Sequence, residues 1–436
     1  MSAEPPPSDT ADARLADTTV SLLNRVLPPE RDFAVRLWDG TTLPAATAED
    51  GARRATLVLT NPDAVAEMFQ LPIDVHLGEA FLRGDLEVEG DIEAVFAFLD
   101  HAEVRVSTSD WIRIAADAAK LGAGRAGPVA ALAAHLRGTA HSPDRDRQAI
   151  THHYDVSNDF YACFLGARMA YSCAYWPQNV EDLDEAQDAK HDLICRKLRL
   201  RPGERLLDIG CGWGGLAIHA ADRYGAHAVG ATLSEKQVDD ARRRAREAGL
   251  EGRVSFELRD YRDLDGAYDK IASVGMAEHV GRDQLPTYYR AAFDRLVPGG
   301  AMLNHAIQRG PLRSEADDRV VSGEFMRRYV FPDGEILPLW QSLEAAEGAG
   351  FEVRDVEDLR EHYAETLRAW VRNLEARWDE AVAAASPERA RLWRVYMAGS
   401  AHRFASGHLA IHQCLLAKPD ARGRAGVPRT RHDLYA

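Results

Sequence analysis

The sequence predicts an α/β protein, a doubly wound parallel sheet preceded by a small α+β domain. Three observations lead there. From about Ala186 onward, short apolar runs alternate with amphipathic helical stretches, the pattern of successive βα units. The first of those runs ends in a glycine-rich turn, "LLDIGCGWGG", that opens directly into a helix. Ahead of this region, "FAVRLWDG" and "ATLVLTN" read as strands and "PDAVAEMFQ" and "DIEAVFAFLD" as helices, an α+β arrangement within residues 13–121.

In chain order, "MSAEPPPSDTADAR" is polar, acidic and Pro-rich, so residues 1–12 are expected to form a disordered leader and not a signal peptide. After the α+β block, residues 122–147 are rich in Ala, Gly, Arg and Ser and include the polar "HSPDRDRQ"; a helix followed by a linker is expected there. The main domain is placed at 148–419. In it "DAKHDLICRKL" is a helix, "RLLDIGC" a buried strand, "GGLAIHAADRYG" a helix and "AVGATLS" a strand. "EKQVDDARRRAREAG" is the next helix, and "VSFELRD", "YDKIASVG" and "GAMLNHAIQ" are strands. Helices from Glu361 to Ala384 and Pro387 to Phe404, a late strand "LAIHQCLLAK", and a basic tail at 420–436 complete the chain.

Composition narrows the function. With 436 residues and a formal net charge of -15, the chain is a poor binder of nucleic acid, which needs Lys and Arg to neutralise phosphates. A membrane surface would need local basic patches, and "ARRRAR" (Ala241 to Arg246) and Lys418 to Arg431 are the candidates; a solvated helix face and a frayed tail are the plainer readings. The five cysteines are scattered without a CxxC, which points to reduced thiols and to neither a disulfide framework nor a zinc site. His402, His408 and His412 share no ligand face, so no metal is expected. No apolar run reaches the roughly 18 residues that span a bilayer. The expected location is cytoplasmic.

The chemistry-bearing residues gather at strand ends. Asp208 closes the first strand of the sheet, and Gly210, Gly212 and Gly214 let backbone approach a ligand closely. A dinucleotide site would read GxGxxG, whereas this run is GCGWGG led by an acid, which is similar to the first motif of class I S-adenosylmethionine methyltransferases. The second strand ends in Thr232, Leu233 and Ser234, with Gln237 a turn into the helix. After the third come Asp260, suited to an adenine amino group, Tyr261, suited to covering its ring, and Arg262. "SVGMAEHVG" sets Glu278 and His279 side by side where an apolar strand ends, a costly place for charge unless it is paired.

Together with "YSCAYW", "LSEKQ", "DYRDL", "EHVG", "LNHAIQ", "YVFPDG" and "HYAETL", these motifs resemble the cyclopropane-fatty-acyl-phospholipid synthases and their mycolic acid cyclopropane synthase relatives, over about residues 148–415. The resemblance implies a Rossmann-like methyltransferase sheet that binds S-adenosylmethionine through the residues above and through Tyr171 and Ser172. It implies methyl transfer to a cis double bond of a phospholipid acyl chain, then ring closure from a carbocation. The base is expected to be a bicarbonate ion held by Cys173, Glu278, His305, Tyr363 and the Ile307 carbonyl. It further implies a front domain resembling sterol carrier proteins, a homodimer, and peripheral contact with the inner membrane face. Two departures stand out: Ala277 precedes the Glu-His pair where relatives commonly have Phe, and Ser400 stands where many have a cysteine. The alternative product is a methylene- or methyl-branched chain. A lipid-binding protein without catalysis is the reading from another class.

Overall fold

A computed structural model of the chain describes residues 8–27, 31, 33–45, 55–70, 72–96, 129–139, 141–154, 156–310 and 323–434. The expected leader up to residue 7, the continuation of "DIEAVFAFLD" beyond Phe96, and the expected helix before residue 129 lie outside these.

The chain divides into two units. The first comprises residues 1–133, 323–329 and 386–402, and the second 134–322, 330–385 and 403–436. The first unit holds a four-stranded sheet of β1 (Ala34–Arg36), β2 (Thr42–Leu43), β3 (Ala55–Leu59) and β4 (Leu86–Gly90), in the order β2-β1-β3-β4. Only β1 and β3 pair in parallel. The helix Ile73–Arg83 feeds β4 through Gly84, whose left-handed backbone (φ 81°) satisfies the helix carbonyls. A helix Ser8–Val26 begins inside the stretch read as a leader. Late sequence completes this unit: Arg394 donates to the Val88 carbonyl at 3.3 Å, and the Tyr329 hydroxyl to Glu79 at 2.5 Å.

The second unit is built on a seven-stranded sheet: β5 (Arg205–Ile209), β6 (His227–Thr232), β7 (Val254–Leu258), β8 (Tyr268–Val274), β9 (Leu296–Arg309), β10 (Glu352–Asp358) and β11 (Leu409–Ala417), in the order β10-β11-β9-β8-β5-β6-β7. Alternate residues face opposite sides, as the two-residue strand period requires. Leu206, Ala272, Leu303 and Leu415 pack under one helical layer with Ile194, Ala217, Ala220 and Val238. Leu207, Ile271, Met302 and Leu416 pack under the other with Tyr288, Tyr289, Ala292 and Ala346. Both faces are therefore covered, which is the condition for near-continuous apolar strands.

Three expectations need correction. The sheet is mixed: β11 runs antiparallel to both β9 and β10, as is common in large α/β sheets. The polar "HSPDRDRQ" is no break; Pro143 opens the helix Pro143–Tyr154, since proline at a first helical position sacrifices no hydrogen bond. The basic tail is not frayed. Arg431 pairs with buried Asp355 at 2.6 Å, Arg199 grips Asp433, and Leu434 is 4% exposed. In "ARRRAR", Arg242, Arg243 and Arg246 are exposed, as a solvated helix face requires, with Arg243 paired to Asp240 and Glu247 and Arg244 donating to a backbone carbonyl.

Candidate active site

The carboxyl ends of β5, β6 and β8 frame a cleft of about 110 Å³. The glycine turn shapes its floor. Gly214 has a left-handed backbone (φ 80°), and a Cβ there would stand 2.5 Å from the Phe256 ring, so only glycine lets the loop turn into the helix Gly215–Tyr224. Of the residues anticipated for the cofactor, Tyr171, Ser172, Asp208, Gly210, Gly212, Thr232, Leu233, Gln237 and Tyr261 line this cleft.

Gly214, Ser234, Asp260 and Arg262 do not line it, and the structure places each in a supporting role. Ser234 caps the helix Glu235–Glu247 by accepting from the Gln237 N–H. The Asp260 carboxylate accepts from the Arg262 backbone and guanidinium, and Arg262 also donates to Asp146 at 2.8 Å. The guanidinium lies 5.1 Å from the Tyr261 ring centroid, which holds that ring against the cleft. Tyr171 is packed among Tyr161, Trp370 and Phe164.

Two residues of "EAQDAKHDL" were not anticipated: Lys190, which lines the cleft, and Gln187 behind it. Gln187 donates to the Ala170 and Ser172 carbonyls at 3.2 and 2.9 Å, and Lys190 donates to Ser172 Oγ at 3.0 Å. Their three-residue spacing puts both on one face of the helix Leu183–Leu198, otherwise occupied by apolar core. Long polar side chains on an apolar face were the available signal. Burial pushes Asp208 up to about 7 against the pull of Lys190, and pushes Lys190 down to about 8.

A second constellation lies where β8 and β9 end. Gly275 N–H donates to the His305 carbonyl at 2.8 Å, so the chain leaving β8 turns beside β9, and the short 3-10 turn Ala277–His279 follows. That turn delivers Glu278, whose Oε1 accepts from the Ile307 N–H at 2.7 Å. Ile307 pairs with Ile411 on β11, Ile411 accepts from the Leu359 N–H at 2.8 Å, and the Leu359 carbonyl accepts from both Tyr363 N–H and, at 3.8 Å, the Cys173 thiol. Cys173, Glu278, His305, Ile307 and Tyr363 are thus linked through successive contacts. His279 takes another path: it lines the cofactor cleft, 5.9 Å from the Phe331 ring, and burial lowers it to about 4.

The electrostatics of this group are those of neutral donors. Glu278, 8% exposed, is pushed up to about 7 by burial, against the Ile307 N–H. His305 is fully buried and held well below the ordinary imidazole value, by burial first and by Lys190 and Lys197 beyond it. Gln413 Nε2 lies 3.1 Å from His305 Nδ1, a hydrogen bond that selects one tautomer of the imidazole. Burial raises the Cys173 thiol, which is a hydrogen-bond donor and no thiolate. Glu278 Oε2 and His305 Nε2 are both buried without a hydrogen-bond partner. Buried polar atoms are rarely left so in a native structure. Gln413 was missed in the sequence; a polar residue inside the apolar run "LAIHQCLLAK" was its signature.

All five cysteines are free and buried. Asp188, His191 and His219 come together on neighbouring helices, but Arg168 pairs with Asp188 at 2.5 Å, and Lys190, Arg168 and Arg244 add positive field at His191. No helix among the described residues is long and apolar enough to cross a membrane.

Comparison with known proteins agrees with this geometry. Residues 141–414 match the family model described as mycolic acid cyclopropane synthetase. A probable fatty acid methyltransferase of Pseudomonas putida is 39% identical over 406 residues, covering 92% of this chain and 95% of that protein. The cyclopropane-fatty-acyl-phospholipid synthase of Escherichia coli (strain K12) is 36% identical over 266 residues, 61% of this chain and 66% of that protein. The crystal structure of mycolic acid cyclopropane synthase CmaA1 complexed with SAH and CTAB superposes with a TM-score of 0.58 at 31% identity, covering 62% of this chain and 97% of that one. Its bound SAH agrees with a cleft whose walls offer an acid, a glycine turn and an aromatic ring to an adenosyl amino acid. By model, relatives and fold alike, the chain belongs to the mycolic acid cyclopropane synthetase family of S-adenosylmethionine-dependent methyltransferases.

Proposed function

We propose that the enzyme methylates a cis double bond in an acyl chain of a membrane phospholipid and closes a cyclopropane ring there. When bound, S-adenosylmethionine supplies an electrophilic methyl group. The alkene carbon takes that methyl group, the neighbouring carbon becomes cationic, and loss of a proton from the added methyl lets the ring close. The protein's task is to hold one proton acceptor in a dry site.

One observation carries the reading: Glu278 Oε2 and His305 Nε2, buried and without partners. A carboxyl group raised to about 7 and a buried imidazole are hydrogen-bond partners suited to a small anion such as bicarbonate. The Cys173 thiol and the Tyr363 backbone N–H meet at the Leu359 carbonyl beside this group. Such an anion accepts the proton and stabilises developing positive charge.

The second reading shares the alkylation step and yields a methylene- or methyl-branched chain. It is favoured by the Pseudomonas putida relative, named a fatty acid methyltransferase, whose match extends over 92% of this chain against 61% for the cyclopropane synthase of Escherichia coli. Ala277, 9% exposed in the turn that carries Glu278, is a small side chain beside the reacting carboxyl group. Purified enzyme, vesicles of cis-monounsaturated phospholipid and methyl-labelled S-adenosylmethionine separate the cases. High-field ring protons in the lipid NMR spectrum support the first reading and vinylidene signals the second. Absence of label from lipid refutes both.

A further inference from the structure

A phospholipid substrate, the reading given above on which this inference rests, requires a face of the enzyme that meets the bilayer. We propose that this face is the groove between the helices Leu285–Arg295 and Leu339–Ala349, with Trp340 entering the headgroup layer of an anionic bilayer and Arg282 and Arg290 pairing with its phosphates. The two helices lie in one layer over the sheet and leave a groove of about 890 Å³ between them, lined on its apolar side by Leu285, Pro286, Ala345 and Gly348. Trp340, at the start of the second helix, is 60% exposed; among the described residues Leu258 is the one other large apolar side chain left so open. An indole has an apolar body and a polar N–H, which suits the layer between acyl chains and water.

Trp340 and Arg282 stand on the rim that carries the reaction centre. At the end of β9 the Arg309 N–H donates to the Leu337 carbonyl at 3.0 Å, just before the helix of Trp340. The Arg282 N–H donates to Glu335 at 2.7 Å, and the Glu335 N–H donates to the Glu278 carbonyl at 3.1 Å. The charge on this face is positive and unneutralised. Arg282 is exposed, and its guanidinium has no ion pair or hydrogen bond among the described residues. Arg290, also exposed, donates to the Gly348 carbonyl at 3.3 Å and lies 5.5 Å from the Phe293 ring, so no acid answers it. Arg295 gives its donors to three backbone carbonyls. Of the two acids on the groove wall, Asp294 and Glu344, the first acts on Lys418. On a chain of net charge -15, a local excess of arginine beside an exposed tryptophan fits an anionic headgroup surface, where each arginine is worth about five-fold in affinity.

The test is cosedimentation of the full chain with vesicles of phosphatidylcholine alone or of phosphatidylcholine and phosphatidylglycerol in equal parts. The parent should prefer the mixed vesicles, and salt should erase that preference. The double variant Arg282→Gln, Arg290→Gln should bind mixed vesicles about thirty-fold more weakly and neutral vesicles as the parent does. Trp340→Ala should bind both about ten-fold or more weakly. All three side chains are exposed, and an unchanged affinity for S-adenosylhomocysteine reports that the variants fold. Bromine on the acyl chains should quench parent tryptophan fluorescence, and Trp340→Phe should lose that quenching. Vesicle binding indifferent to these substitutions, or quenching that persists in Trp340→Phe, overturns the proposal. So does a dimer that Trp340→Ala dissociates, which assigns the groove to a second copy of the chain. Methyl labelling of lipid dispersed in detergent, which offers no bilayer, tests the lipid reading separately and should proceed equally in parent and variants; its loss in a variant places that residue in the reaction and overturns the surface role.

Discussion

Replacing Glu278 with glutamine separates the cost of the site from its use. Glutamine keeps the side chain's length and an Oε1 that accepts from the Ile307 N–H, 2.7 Å away in the parent, but it carries no ionisable proton. The unfolded chain releases the Glu278 proton near 4.5 and the folded chain near 7. Between those values the native state holds more protons, so stability falls as pH rises through the interval. The full interval is worth about 3 kcal/mol, nearly absent at pH 4.5 and complete above about pH 8. Glu278→Gln should therefore match the parent in urea unfolding near pH 4.5 and exceed it by about 3 kcal/mol at pH 8.5, read on the unit that holds the seven-stranded sheet. Turnover should fall by about two orders of magnitude or more, while affinity for S-adenosylhomocysteine stays nearly unchanged. A stability difference that does not vary with pH would refute the burial argument. Full retained turnover would remove Glu278 from the mechanism.

Other outcomes follow from the same geometry. Because burial raises Asp208 to about 7, S-adenosylhomocysteine affinity should fall about ten-fold per pH unit below that value as the carboxylate is neutralised. Calorimetry on Asp208→Asn should find weak binding without that slope. Gln413→Leu should reduce turnover about ten-fold or more with cofactor affinity intact, and imidazole nitrogen NMR should show His305 losing its single tautomer. Gly214→Ala should destabilise by about 2 kcal/mol or more in urea unfolding, from the Phe256 clash and the left-handed backbone. Iodoacetamide should leave all five cysteines of the native enzyme unlabelled and reach them only after unfolding.

Much of the site was legible because a doubly wound sheet binds ligands at strand ends, and strand ends can be read from sequence. Asp208, Thr232, Tyr261 and Glu278 each terminate or follow an apolar run, and the structure sets each at the rim of the sheet. Misreadings came where a local pattern has two solutions. "FEVRDVED" alternates too weakly to announce β10, since its neighbour β11 and not its own apolar content holds it in the sheet. The tail looked frayed for want of local periodicity, but its order comes from Asp355 and Arg199, more than 70 residues away. Arg262 turns back to hold Asp260, the residue read as an adenine partner, and no spacing rule reveals that contact.

The sequence by itself determined the fold class, the glycine turn and the residue types of the reaction centre, since period, turn chemistry and motif are properties of short stretches. Tertiary structure alone decided which polar groups meet a charge and which meet a void. Lys190 lies 18 residues from Ser172, and Gln413 lies 108 residues from the imidazole it orients. A buried ammonium, a raised carboxyl or a fixed tautomer depends on the dielectric and the partners that packing supplies. Those exist only once distant segments close around the site.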